Sequence, residues 1–142
     1  MSQYRLASIL PCMREIRRAI HSNPELSFAE VQTAGPITAG LAALAIEYRY
    51  NGPVSAVTAR ICGTKNDTGA IALRAGMDAL PGRETTGLPF APSHSNAMHP
   101  CGHDAHMTML LGGSRLLLTT PPPNPGCFGV PAGRRTRVRL SA

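Results

Sequence analysis

The stretch Met98-His99-Pro100-Cys101-Gly102-His103-Asp104-Ala105-His106 places one thiol, three imidazoles and one carboxylate within nine residues. Thiolates, imidazoles and carboxylates are the groups that bind transition metals. Only Gly102 separates Cys101 from His103. Glycine reaches backbone angles closed to other residues, so both side chains can turn toward one point. Two donors are not a site: zinc takes four ligands, or three and a water when catalytic. His99, His106, Asp104 and Asp78 are the local candidates to complete it. Other readings of the same residues stay open. Cys101 can be a small buried hydrophobe and the histidines surface residues. Cys101 and His103 can also be a nucleophile and its base, which is disfavoured because no third group is evident to orient the base.

Directly after this cluster, Met107, Leu110, Leu111, Ser114, Leu117 and Leu118 recur at helical spacing. Asp104 suits the start of that helix, as a cap or in its positive first turn. Gly112-Gly113 inside it costs about 1 kcal/mol per glycine relative to alanine and would allow close approach to a sheet. Before the cluster lies a Pro- and Gly-rich connection from Leu80 to Ala97, a length often found in functional loops. Upstream of that, Ala70 to Ala75 is a near-continuous apolar run, as in a strand covered on both faces of an α/β sheet. Asp78 follows it. Chemistry in open α/β sheets gathers at the carboxyl ends of strands, so Asp78 is a candidate site residue, with a turn-capping aspartate as the alternative.

Nearer the N-terminus, Val57, Ala59 and Ile61 share one face of a predicted strand, and Ile46, Tyr48 and Tyr50 share one face of another. Asn51-Gly52-Pro53 and Gly63 to Gly69 read as turns. Val31, Ala34, Ile37, Leu41 and Leu44 form a helical stripe. Ser27 and Glu30 have the spacing of a capping box before it, and Gly35-Pro36 predicts a kink or break within it. Leu6, Ile9, Leu10, Met13, Ile16 and Ile20 predict a first amphipathic helix of roughly four turns. Pro11 is expected in its first turn, and Ser22-Asn23-Pro24 as its stop.

The chain has 142 residues, 43% apolar and 15% charged, which suits one globular domain rather than a disordered segment. Cys12, Cys62, Cys101 and Cys127 form no Cys-x-x-Cys pair, and no secretory signal is evident, so a reducing cytoplasm is expected. No stretch approaches the roughly 20 apolar residues that span a bilayer. The net charge of +6 is uneven: four of the fourteen Lys and Arg are Arg134, Arg135, Arg137 and Arg139, with no acid nearby. Such a cluster can bind nucleic acid non-specifically, but a solvated tail is the favoured reading. The last 22 residues hold five prolines, four arginines and three glycines without a period, so 119–142 is read as irregular.

Four segments in order resemble a known family: Arg17 to Leu26 (RRAIHSNPEL), Ile71 to Pro81 (IALRAGMDALP), Glu84 to Phe90 (ETTGLPF) and Met98 to His106 (MHPCGHDAH). Together they are similar to the M20 peptidases, in the amidohydrolase branch that includes hippurate hydrolases, N-acyl-amino-acid amidohydrolases and hydrolases of indole-acetic acid–amino acid conjugates. The resemblance runs from about residue 5 to 118. It implies the N-terminal part of a zinc-hydrolase-type α/β catalytic domain, a mixed sheet flanked by helices, over 1–118. It also implies two divalent metals per site, zinc, manganese or similar, and hydrolysis of an N-acyl amino acid or related amide by metal-activated water. Cys101 and His103 map onto two metal ligands of the family. Asp78 maps onto an acid that orients a ligand.

The departures from the family pattern matter as much. The first aspartate of its Asp-Met-Asp motif is Gly76, and its Gly-Thr-Gly loop reads Asn51 to Ala56. The family's later Pro-Ala-Glu-Glu segment, which supplies the general base and a ligand, has no counterpart: no glutamate follows Glu84 and no histidine follows His106. A lid domain used for dimerisation is also absent from the pattern. The expectation is therefore an incomplete amidohydrolase site with little activity by itself. Residues from about 119 are expected to come from a shifted reading frame in a GC-rich gene, because the tail is rich in Pro, Arg, Gly and Ala, the residues of GC-rich codons. The alternatives are a non-catalytic remnant that binds metal weakly, or a nucleic-acid binder acting through its Arg-rich tail.

Overall fold

The computed structural model describes residues 2–52, 56–63, 71–93, 96–119, 121 and 126–130. Three helices and six short strands appear among them: α1 (Ser2–His21), α2 (Val31–Ala43), β1 (Glu47–Arg49), β2 (Val57–Ile61), β3 (Ile71–Arg74), β4 (Leu80–Pro81), β5 (Ala97–Met98), α3 (His103–Thr119) and β6 (Gly126–Val130). The main sheet runs β1-β2-β6-β3. β1 and β6 flank β2 antiparallel, and β3 joins β6 in parallel. The expected mixed α/β sheet is therefore present. Its register pairs Ala59 with Phe128 and Leu73 with Phe128, so β6 lies between the two.

The core forms where alternation along β2 meets the helical stripes. Val57, Ala59 and Ile61 are buried while Arg60 between them is exposed, as the period of two requires. They pack with Ile37 and Leu41 of α2 and with Met107 and Leu111 of α3. Small residues let the helices close on one another. A Cβ on Gly40 would lie 2.5 Å from a Leu111 methyl, and one on Gly112 would lie 3.3 Å from the Met13 sulfur of α1. Gly112 thus serves helix–helix packing rather than the expected approach to the sheet, because α1, not a strand, lies over that face of α3. Gly113 has nothing within 4 Å of its Cβ position.

Several local expectations change. Pro11 lies in the middle of α1 rather than in its first turn, since the helix begins at Ser2. Ala7 there loses the backbone donor that would meet its carbonyl. α1 does stop where expected, with Ser22 and Asn23 closing the last turn onto Arg18 and Ile20. α2 runs through Gly35-Pro36 without a break. Its buried stripe, Thr33, Ala34, Ile37 and Leu41, holds it together.

The capping box is replaced as well. Glu30 occupies the N-cap without a side-chain hydrogen bond. Glu25 reaches across instead: its Oε1 accepts from Gln32 N at 3.1 Å, and its Oε2 accepts from Thr33 N at 2.7 Å and the Thr33 hydroxyl at 2.8 Å. Phe28, with φ 67°, turns the loop between them through the left-handed region. β1 is exposed along its length, and the apolar Ile46 and Tyr50 pack from its ends.

The largest correction concerns β3. All four of its residues are exposed, with Ile71 at 62% and Leu73 at 43%, so it is not covered on both faces. α2 and α3 pack over β2, and β3 lies at the far side of β6. Burial resumes after the strand, at Ala75, Met77 and Ala79. Within the segment read as irregular, 126–130 is β6, because its backbone completes the ladder between β2 and β3. Residues 131–142, with the four arginines of the tail, lie outside the described residues, as do 53–55 and 64–70 of the predicted turns. Among the described residues no helix is long and apolar enough to cross a membrane.

Candidate metal-ligand site

The site forms where three segments converge below the first turn of α3. The turn Pro100–Gly102 precedes the helix, and Gly102 takes φ 72°, the left-handed angle that its lack of a Cβ permits. Its N–H donates to His99 O at 3.2 Å, and its carbonyl accepts from His106 N at 3.0 Å. The chain therefore reverses at Gly102 and enters α3 with His103 as the first helical residue. Cys101 is exposed on that turn as a free thiol.

His103 and Asp78 are brought together across 25 positions of sequence. His103 Nδ1 lies 2.8 Å from the Asp78 backbone carbonyl and 3.1 Å from its Oδ1. A carbonyl oxygen can only accept, so Nδ1 carries the proton, and Nε2 is left with the lone pair that a metal would take. Asp78 is itself fixed by the Ser27 hydroxyl, which donates to Oδ2 at 3.0 Å. Two backbone links hold the segment in place: Ala79 N donates to Glu25 O at 2.8 Å, and Leu26 bridges to Ala79 in parallel. Gly76 explains how the ring is accommodated. A Cβ there would lie 2.7 to 2.9 Å from three atoms of the His103 imidazole. The ring occupies the space that any side chain at position 76 would need.

The other candidates take different places. The His106 ring lies 5.9 Å from that of His103. His99 is buried with neither ring nitrogen hydrogen-bonded, and burial holds its pKa below the ordinary value, so it is neutral near pH 7. Asp104 lies inside the first turn rather than at the cap. Its Oδ2 lies 2.9 Å from His21 Nδ1 and accepts from Arg17 Nε at 3.0 Å. Burial works to raise its pKa, but the hydrogen bonds from His21, the Ala105 amide and Arg17 outweigh it and hold the carboxyl below the ordinary range. Among the described residues no three His, Cys, Asp or Glu side chains gather closely enough to hold a metal. Thiolate and imidazole, the side-chain types of Cys101 and His103, are donors of the kind that suit zinc.

The sequence reading missed Ser27 as a partner of Asp78, and it missed His21, Arg17 and Glu84. Arg17 and His21 stand four apart, on one face of α1, and that spacing was the available signal. Glu84 gave none, because its partner is 63 residues away.

Residues 72–126 match Peptidase family M20/M25/M40. Over this stretch the chain is similar to the M20 peptidases. The match spans β3, Asp78, the Cys101–His103 turn and α3, and extends beyond Thr119. Two curated relatives are similar. One is a putative glutamate–cysteine ligase of Rhodococcus jostii, 46% identical over 129 residues that cover 89% of this chain and 14% of that protein. The other is an N-acetyl-L-cysteine deacetylase of Bacillus subtilis, 46% identical over 102 residues that cover 72% of this chain and 24% of that protein. The fold agrees with a dinuclear metal binding peptidase of the M20 family from Bacillus subtilis. The TM-score is 0.81 at 35% identity, covering 87% of this chain and 35% of the other. The chain thus spans a quarter or less of the length of these two curated relatives.

Proposed function

We propose that this chain carries the Cys101–His103 metal-ligand segment of an M20-type amidohydrolase acting on N-acyl amino acids or related amides. The observation that supports it most is the His103 ring. Its Nδ1 is held by both the carbonyl and the carboxylate of Asp78, which leaves Nε2 available. A carboxylate or carbonyl behind a ligating histidine is the common arrangement in metal sites. It fixes the tautomer and raises ligand basicity. Cys101 would be the second ligand and Asp78 the positioning acid. When bound, a divalent metal supplies Lewis acidity toward the amide carbonyl and lowers the pKa of water. The likeness to a deacetylase of an N-acetyl amino acid supports the substrate class, and the likeness to a dinuclear metal peptidase supports the metal.

Metal content after dialysis against zinc tests this reading. The wild-type chain is expected to take up zinc weakly, and Cys101→Ala and His103→Ala to take up less. Removing the supporting carboxylate in Asp78→Ala is expected to weaken zinc binding about 10- to 100-fold. Equal zinc content in wild type and both ligand variants would sink the proposal. With two ligands in reach and no third among the described residues, hydrolysis of an N-acyl amino acid by this chain alone is expected to be slight. A metal-dependent turnover at enzymatic rates would contradict that.

A further inference from the structure

We infer that His21 is a positioning residue that ties the loop between β4 and β5 to the first turn of α3, and through that turn to His103. One imidazole bridges two buried carboxylates from distant segments. Nε2 lies 2.8 Å from Glu84 Oε2 in the loop, and Nδ1 lies 2.9 Å from Asp104 Oδ2 in α3. The ring is nearly enclosed, with its side chain 9% exposed. Phe90, further along the loop, meets the ring edge to face at 5.3 Å, and the Arg18 guanidinium lies 4.9 Å over Phe90. The loop is thus clasped to the end of α1 by a hydrogen bond to Glu84 and by an aromatic contact.

Asp104 has little else to hold it. Its Oδ1 has no hydrogen-bond partner among the described residues, and beyond His21 the carboxylate has the Ala105 amide and Arg17, whose side chain is 46% exposed. Removing His21 would leave one buried carboxylate with the Ala105 amide and a half-exposed arginine, and the other, among the described residues, with the Thr86 hydroxyl of its own loop. Asp104 directly follows His103, so the start of α3 is pinned from two sides, by Asp78 through His103 and by His21 through Asp104. A shift of the loop must then reach the ligand helix through one ring. The connection to a metal ligand rests on the function proposed above; the tie itself does not.

The test uses the full chain and starts with Glu84→Ala, which touches neither α3 nor a ligand. Hydrogen exchange read by NMR at the amides of 105–108 is expected to quicken at least three-fold, with the exchange of β2 unchanged. His21→Gln is expected to do the same and also to free the loop. A contact that merely anchors the loop would leave α3 untouched, so unchanged exchange at 105–108 in Glu84→Ala overturns the inference, whether or not His21→Gln folds. Cobalt(II) added to the same samples gives a second readout. Wild type is expected to show visible ligand-field bands and Glu84→Ala to show them shifted or weakened. Absence of bands in the wild type would count against the metal function alone, and the exchange result would still decide the role of His21.

Discussion

At the scale of single residues, Gly76 and Glu30 show how the site constrains its surroundings. The family carries an aspartate where Gly76 stands, yet no side chain fits there while His103 keeps its place. Gly76→Ala is expected to lower stability by about 1 to 3 kcal/mol, the usual cost of overpacking, and to displace the His103 ring. Urea unfolding together with the His103 ring resonances checks both; an unchanged midpoint and unchanged resonances would refute it. Glu30 is fully buried, and among the described residues neither carboxylate oxygen has a hydrogen-bond partner. Burial raises its pKa above 4.5, assisted by the nearby charge of Asp78. The folded state therefore favours the protonated acid. That stabilising contribution is complete below pH 4.5 and is lost as pH rises through the raised value. Glu30→Gln should remove this pH dependence and be the more stable protein at neutral pH. Parallel unfolding curves from pH 4 to 8 for the two proteins would contradict the assignment.

At the scale of elements, α2 and β3 carry the clearest consequences. α2 begins without a cap from its own N-cap residue, and the Glu25 carboxylate satisfies two of its first amides from seven and eight residues away. Glu25→Ala is expected to cost about 1 kcal/mol, up to about 2, as for other lost caps. Thermal melting measures it, and an unchanged melting temperature would show that water replaces the carboxylate freely. β3 presents Ile71 and Leu73 to solvent on a strand paired only to β6 among the described residues. Exposed apolar strands of this kind invite pairing with another chain. Ile71→Lys with Leu73→Lys should reduce concentration-dependent association in light scattering, with little change in unfolding, because both side chains are already largely exposed. Equal association would assign the tendency to another surface.

At the scale of the whole molecule, three helices and a mixed sheet bring His103 and Asp78 together beside the turn that carries Cys101. The strand that gathers the sheet is β6. It joins β2 to β3, so the two halves of the sheet meet only through it. The convergence of α1, the β4–β5 loop and the start of α3 at His21 gives the molecule a second organising point, beside the one at His103 and Asp78. Both lie at one end of α3, and all four family-like segments meet there, through His21, Asp78, Glu84 and His103 with Asp104.

The sequence by itself determined the helices, the strand alternation of β2, the turn at Gly102 and the pairing of Cys101 with His103 as donor types. These are local properties: side-chain period, backbone freedom and ligand chemistry are written in neighbouring residues. The motif order also carried the likeness to the M20 peptidases. Only the tertiary structure decided which partners those residues meet. Glu25 rather than Ser27 caps α2, because the loop turned through Phe28 brings a more distant carboxylate to the helix end. Ser27 is thereby released to hold Asp78. His21 bridges Glu84 and Asp104 because the ends of two helices and a loop converge, and no periodicity records a contact across 63 or 83 positions. The exposure of β3 and the inclusion of 126–130 in the sheet belong to the same class. An apolar run states that burial would be favourable, but which faces are covered depends on where the other elements pack.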